Sequence, residues 1–123
     1  MNGFITDSVY SIVQDTLGMM WFGTAHGLYC YEGNKFKVFL NEKDHPASLS
    51  NNIITSLFID QDHNMWVGTN NGLNRYNPHK ESFDHFFHDP GDSNTIINDY
   101  TLTINQDNKG DLWIGTLNGI SAI

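Results

Sequence analysis

The sequence predicts an all-β chain made of four-stranded antiparallel sheets, the blades of a β-propeller, with about 2.7 blades present and the ring incomplete. Three observations predict it. A motif recurs three times at a spacing of 45 and then 47 residues, as "MWFGTAHGLYCY" (20–31), "MWVGTNNGLNRY" (65–76) and "LWIGTLNGISAI" (112–123). Each copy breaks into short runs rich in β-branched and aromatic residues, separated by turn residues. No apolar stripe at i, i+3, i+4, i+7 persists long enough to argue for a helix. Self-similarity at 40–50 residues points to a propeller, a solenoid or an array; helical repeats lack support here, and a solenoid with one strand per 20–29 residues fits worse.

The ruler is kept by many residues. Trp21, Trp66 and Trp113 obey the two steps, as do Asp15, Asp60 and Asp107. So do Gly23, Gly68 and Gly115, then Thr24, Thr69 and Thr116, then Gly27, Gly72 and Gly119, and upstream Phe4, Leu49 and Ile96. Tyr31 to Tyr76 is still 45, whereas Phe36 to Phe83 is 47, so two residues enter where "EGNK" (32–35) becomes "NPHKES" (77–82). An insertion confined to one polar stretch marks a loop. The chain is therefore expected to be a single partial domain, 1–123, with units 4–48, 49–95 and a shortened 96–123.

In order along a unit, the first strand is "SVYSIVQ", "IITSLFI" or "YTLTINQ". A turn follows, "DTLGM", "DQDHN" or "DNKGD", in which Asp caps backbone amides and the fourth position wants φ > 0, supplied by Gly18 and Gly110 but by His63 in the middle copy. The second strand is "MWFGT", "MWVGT" or "LWIGT". Its tryptophan reads as a wedge between splayed sheets, the following glycine as a point of close backbone approach, and the threonine as an ordinary strand residue. "AH", "NN" and "LN" before glycine signal a tight hairpin, with Asn71 and Asn118 suited to φ > 0. The third strand is "LYCY" or "LNRY", the fourth "FKVFL" or "FDHFF", and a polar connector of about ten residues leads onward. The third copy has no fourth strand.

Composition narrows function. Six Lys plus Arg stand against fourteen Asp plus Glu, a net charge of −8 with no basic run, which argues against nucleic acid or an anionic membrane as partner. No apolar run is long enough to span a bilayer, and no signal peptide is visible. The single cysteine, Cys30, lies in an apolar run and reads as a buried, inert thiol. His85 and His88 form H-x-x-H, but i and i+3 on a strand face opposite ways, so no metal is expected. No nucleophile elbow, phosphate loop or Cys–His pair is present, so no catalytic residue and no cofactor is assigned.

At "D-x-x-G-x-[LM]-W-[IVF]-G-T-x-x-G-[LI]" the chain resembles the two-component regulator propeller repeat. "NPHKESFDHFFHDPGDSNTI" resembles that family's link between units. His63 for the turn glycine, Thr101 where the other copies have Val9 and Ile54, and the end at Ile120–Ile123 depart from the pattern. The resemblance implies a periplasmic sensor region of a hybrid histidine kinase of Bacteroides-type bacteria, non-enzymatic in itself, whose propellers recognise oligosaccharides; this chain would be a fragment of it.

Antiparallel connectivity puts the second-to-third hairpins and the connectors on one end of the sheets. Ala25-His26, Asn70-Asn71 and Leu117-Asn118 occupy equivalent slots there. Planar amides and an imidazole suit bidentate bonds to sugar hydroxyls, so His26, Asn70, Asn71 and Asn118 are the candidate ligand contacts. The terminal sheets would leave exposed edges and faces, so self-association through them is expected. Two other classes remain open: a protein-interaction or dimerisation scaffold and, ranked below it, a propeller lyase or hydrolase.

Overall fold

The computed structural model describes residues 5–123, so Phe4, the first member of the Phe4/Leu49/Ile96 series, lies outside the described residues. Eleven strands and no helix are found among them. The first sheet is β1 (Val9–Gln14), β2 (Met20–Thr24), β3 (Gly27–Tyr31) and β4 (Phe36–Phe39), in that spatial order. The second is β5 (Ile54–Ile59), β6 (Met65–Thr69), β7 (Gly72–Asn77) and β8 (Ser82–Phe86). The third has three strands, β9 (Thr101–Gln106), β10 (Leu112–Thr116) and β11 (Gly119–Ala122). All neighbours are antiparallel. These are propeller blades in an open, unclosed row.

Short-range chemistry builds each sheet the same way. In the first turn, Asp15 Oδ1 accepts from the amides of Leu17 and Met19, while Oδ2 accepts from the Trp21 indole N–H at 2.8 Å. Asp60 and Trp66 repeat this at 2.8 Å, and Asp107 and Trp113 at 2.9 Å. The repeated Asp is thus a turn cap that also orients the wedge. Gly18 and Gly110 have φ of 88° and 92°, and His63 follows them at 68°, in the region a Cβ penalises.

Two expectations need correction at the hairpins. The threonines are more than strand residues. Thr24 Oγ1 accepts from the His26 amide at 3.0 Å and donates to the Gly27 carbonyl at 2.9 Å, and Thr69 and Thr116 do the same in their copies. Second, neither Asn71 nor Asn118 takes positive φ; that role falls on Gly27, Gly72 and Gly119, with φ of 114°, 111° and 117°. With the threonine closing the turn and the glycine after it left-handed, the hairpin is of the type in which a glycine bulge follows the turn, and the residue before it is released from any φ requirement. The insertion lengthens one hairpin by a pair: Tyr31↔Phe36 closes the first, whereas Tyr76↔Phe83 is followed by Asn77↔Ser82 in the second.

The sheets approach most closely at their first strands, β1 beside β5 and β5 beside β9. Gly23 makes room there: a Cβ on it would lie 2.7 Å from Ile54 Cγ2. At the next junction Thr101, the departure from Val9 and Ile54, is buried and donates to the Thr69 carbonyl at 2.9 Å while accepting from its amide at 2.8 Å. Farther out the sheets splay, and aromatic rings fill the gap. Trp21 meets Tyr76 at 5.0 Å and Phe39 at 5.7 Å between ring centroids; Trp66 meets Phe86 at 5.4 Å. Two cores result. One joins Trp21, Leu28 and Cys30 to Leu57, Val67 and Phe83; the other joins Trp66 and Leu73 to Ile104, Leu112 and Ile114. Burial pushes the Cys30 thiol up to about 11, as befits an inert core sulfur.

Trp113 differs. Its indole bond to Asp107 is intact, yet it is 41% exposed, against 3% for Trp21 and 6% for Trp66. Its flank meets no fourth sheet among the described residues. Val9 and Ile12, on the opposite side of the row, are exposed for the same reason, whereas their repeat equivalents Ile54 and Leu57 are buried.

Candidate functional site

The molecule has two chemically distinct ends. At one end lie the β2–β3, β6–β7 and β10–β11 hairpins with the connectors. Adjacent units interlock there: Gly27 N–H donates to the Asn52 carbonyl at 2.7 Å, and Gly72 N–H to the Asp99 carbonyl at 2.6 Å. The side chains of Asn52 and Asp99 in turn receive the amides of Asn41 and His88.

The four anticipated contacts all stand at this end, His26 on the first hairpin, Asn70 and Asn71 together on the second, and Asn118 on the third. His26 is exposed, its Nδ1 2.9 Å from Asp7 Oδ1. Asn71 and Asn118 are exposed and committed only through backbone amides, which donate to Thr69 and Thr116. Asn70 is half-buried, and its side-chain oxygen is buried without a hydrogen-bond partner. A buried amide oxygen left unpaired costs roughly 1–3 kcal/mol. No hydrogen bond among the described residues joins any two of the four. The face therefore presents separate polar points on a rigid frame. The H-x-x-H pair has structural work: His85 Nε2 lies 2.5 Å from the Ser48 carbonyl, and His88 Nδ1 lies 2.7 Å from the Ile96 carbonyl.

At the opposite end lie the turns, and there a cavity of about 460 Å³ opens between the first and second sheets. Ile59, Met65 and Trp21 give it an apolar base, and Asn64, Asn77 and His79 form part of its polar rim. Tyr76 also lines it, its phenol pushed up to about 12 by burial and by the carboxylates nearby. Sequence reasoning named Asp15, Trp21, His63 and Tyr76 only as structural members of the repeat and gave no residue of this cavity a ligand role. A second hollow, about 770 Å³, lies between the connector from His88 to Thr95 and strand β11. It occupies the position that β4 and β8 fill in the two four-stranded sheets.

Asp60 is a buried ionisable group. Burial opposes its charge, but the Trp66 indole and the amides of Asn64 and Asp62 outweigh this and hold its carboxyl below the ordinary 3.8. Asp107 is lowered too, chiefly by the Trp113 indole. Lowered carboxyls tied to turn amides are architecture, because a general acid needs the reverse shift.

The repeated Asp cap, Trp wedge and Thr-closed hairpin match the two component regulator propeller family at residues 3–26, 48–71 and 95–118, together more than half of the chain. The chain belongs to this family. Each matched stretch spans the first two strands of a propeller unit and stops just before the hairpin glycine. Histidine kinase P4 of Formosa agariphila is 38% identical over 59% of this chain and 6% of its own length. The extracellular domain of a hybrid two component system of B. thetaiotaomicron superposes with a TM-score of 0.88 at 28% identity, over 98% of this chain and 17% of that one. Virginiamycin B lyase of Staphylococcus aureus shares the fold alone, with a TM-score of 0.68 at 21% identity over 100% of this chain and 40% of the lyase. The regulator propeller chain thus spans a small part of each relative. No helix among its described residues is long and apolar enough to cross a membrane.

Proposed function

We propose that the chain is part of the periplasmic sensor propeller of a hybrid two-component signalling protein, without enzymatic chemistry of its own, and that it helps recognise a glycan or oligosaccharide. Family membership supports the sensor role. The observation that carries the ligand reading is at the hairpin end. The Asp–Trp–Gly–Thr–Gly frame is constant, while the residues it presents change from Ala25-His26 to Asn70-Asn71 to Leu117-Asn118. A constant frame displaying variable polar groups is what selective recognition of a polyhydroxyl ligand needs. A thermal-shift panel of oligosaccharides on this chain tests it: a concentration-dependent rise in Tm supports the reading, and no rise with any of them sinks it.

A second reading, a scaffold that binds protein, draws on the exposed apolar flanks. Trp113 on the third sheet and Val9 and Ile12 on the first are the equivalents of residues that pack at the inner junctions. Head-to-tail self-association through these flanks would cover them, two chains supplying about six blades. Light scattering that shows a stable monomer at micromolar concentration would count against it. A lyase or hydrolase reading draws on fold alone.

A further inference from the structure

The two junctions between sheets are built from the same repeat, yet one is sealed at its turn end and the other is open. At the junction of the second and third sheets, Gln61 N–H donates to Gln106 Oε1 at 2.9 Å, and Gln106 Nε2 donates to the Gly110 carbonyl at 3.0 Å. The Gln61 side chain lies over Gly110, where an added Cβ would stand 2.8 Å from its Nε2. The repeat positions of Gln61, Gln106 and Gly110 at the first junction hold Thr16, Ile59 and His63. The bridging bond is missing there, and the cavity lies in its place.

Departures of the second unit from its own repeat converge on this cavity. Ile59 stands where Gln14 and Gln106 each clamp a turn carbonyl. His63 stands where glycine serves in the other copies and keeps a left-handed backbone at φ 68°. The two-residue insertion falls in the loop carrying Pro78 and His79, which also line the cavity. A scaffold with no further duty gains nothing from replacing a glycine at positive φ with histidine. Among the described residues no hydrogen bond reaches the rings of His63 and His79 or the carboxylate of Asp62, whereas Arg75 and Asp84, also at this cavity, are paired with each other at 3.0 Å.

We infer that this cavity is a second saccharide subsite, distinct from the hairpin end, and that it takes a neutral mono- or disaccharide unit. The inference rests on the glycan reading above. Leu17, Ile59 and Pro78 offer an apolar surface to the C–H face of a sugar ring, while His63, His79 and Asp62 offer donors and acceptors to its hydroxyls. The unpaired Asp62 and the net charge of −8 disfavour an acidic sugar. The volume, about 460 Å³, lies within the range of small-molecule sites.

The test grafts the sealed junction onto the open one. The double variant Thr16→Gln/Ile59→Gln uses residues that the same fold already carries at those positions in another unit. Saturation-transfer NMR and amide chemical-shift mapping with cellobiose, maltose, xylobiose and lactose are run on the wild type, the graft and a His26→Ala/Asn70→Ala variant. A disaccharide that shifts Asn64 and His79 in the wild type, and binds the graft at least tenfold more weakly but the hairpin variant within twofold, supports the subsite. Binding that survives the graft and is lost in the hairpin variant overturns the subsite and leaves the glycan reading standing. Absence of binding by every disaccharide overturns the subsite, and if the wider thermal-shift panel is also silent the glycan reading falls with it.

Discussion

Trp66 and Trp113 share one local structure and live in different surroundings. Both follow a capped turn, both donate the indole N–H to an aspartate six residues earlier, and both precede a Gly-Thr hairpin by one residue. Trp66 is 6% exposed because the third sheet lies on it; Trp113 is 41% exposed. The difference teaches that the repeat encodes the wedge locally, while its energetic value comes from the neighbour. Indole burial, not the indole hydrogen bond, should therefore set how much each tryptophan stabilises the protein.

The largest effect should come from Trp66→Ala, which opens a cavity between two sheets and should cost about 3–5 kcal/mol in chemical denaturation. Trp113→Ala should cost less than half as much; equal losses would refute the neighbour argument. Next comes the cap. Asp60→Ala leaves the buried Trp66 indole and two amides unpaired and should cost about 2–3 kcal/mol. Its pH signature has a definite sign. The Asp60 carboxyl is held below 3.8 in the fold, so its stabilisation is present above that value and disappears as pH falls through the lower folded one. Asp60→Asn should accordingly flatten the acid limb of a Tm–pH profile.

Gly23→Ala should cost about 1–3 kcal/mol, since its Cβ would meet Ile54 of the next sheet. Gly115→Ala should cost less, because the nearest obstacle, Thr103 Cγ2 at 2.6 Å, is a side-chain methyl of its own sheet. The smallest effect should be a gain: His63→Gly relieves a left-handed histidine and should raise stability by up to ~1 kcal/mol, offset in part by glycine's freedom in the unfolded chain. A loss of stability there would mean that the His63 ring has a structural partner in solution.

Much of the fold was legible because its signals are local. The strands 20–24, 65–69 and 112–116 fall where the sequence placed them, since a turn and a hairpin bracket each within a few residues. The left-handed site at His63 was readable from Gly18 and Gly110. The Asp–Trp bond was readable in principle, since a six-residue spacing recurs in all three copies, but only the turn role of the aspartate was recognised. The threonine closure was masked because threonine is also a good strand former. The cavity was not legible at all. His63 reads as a lapse in the turn pattern, 77–82 as a loop insertion and Ile59 as an ordinary strand residue, and their convergence with Thr16 requires the first sheet to lie against the second.

The sequence by itself determined the unit: four short strands or three, the turns between them and the direction each tryptophan would take, because hydrogen bonds and φ requirements act over a few residues. Only the tertiary structure decided which wedge is dry, which junction is sealed and which polar groups are left without partners. Those outcomes depend on what the adjacent sheet brings to the same place, from about 45 residues away in the chain.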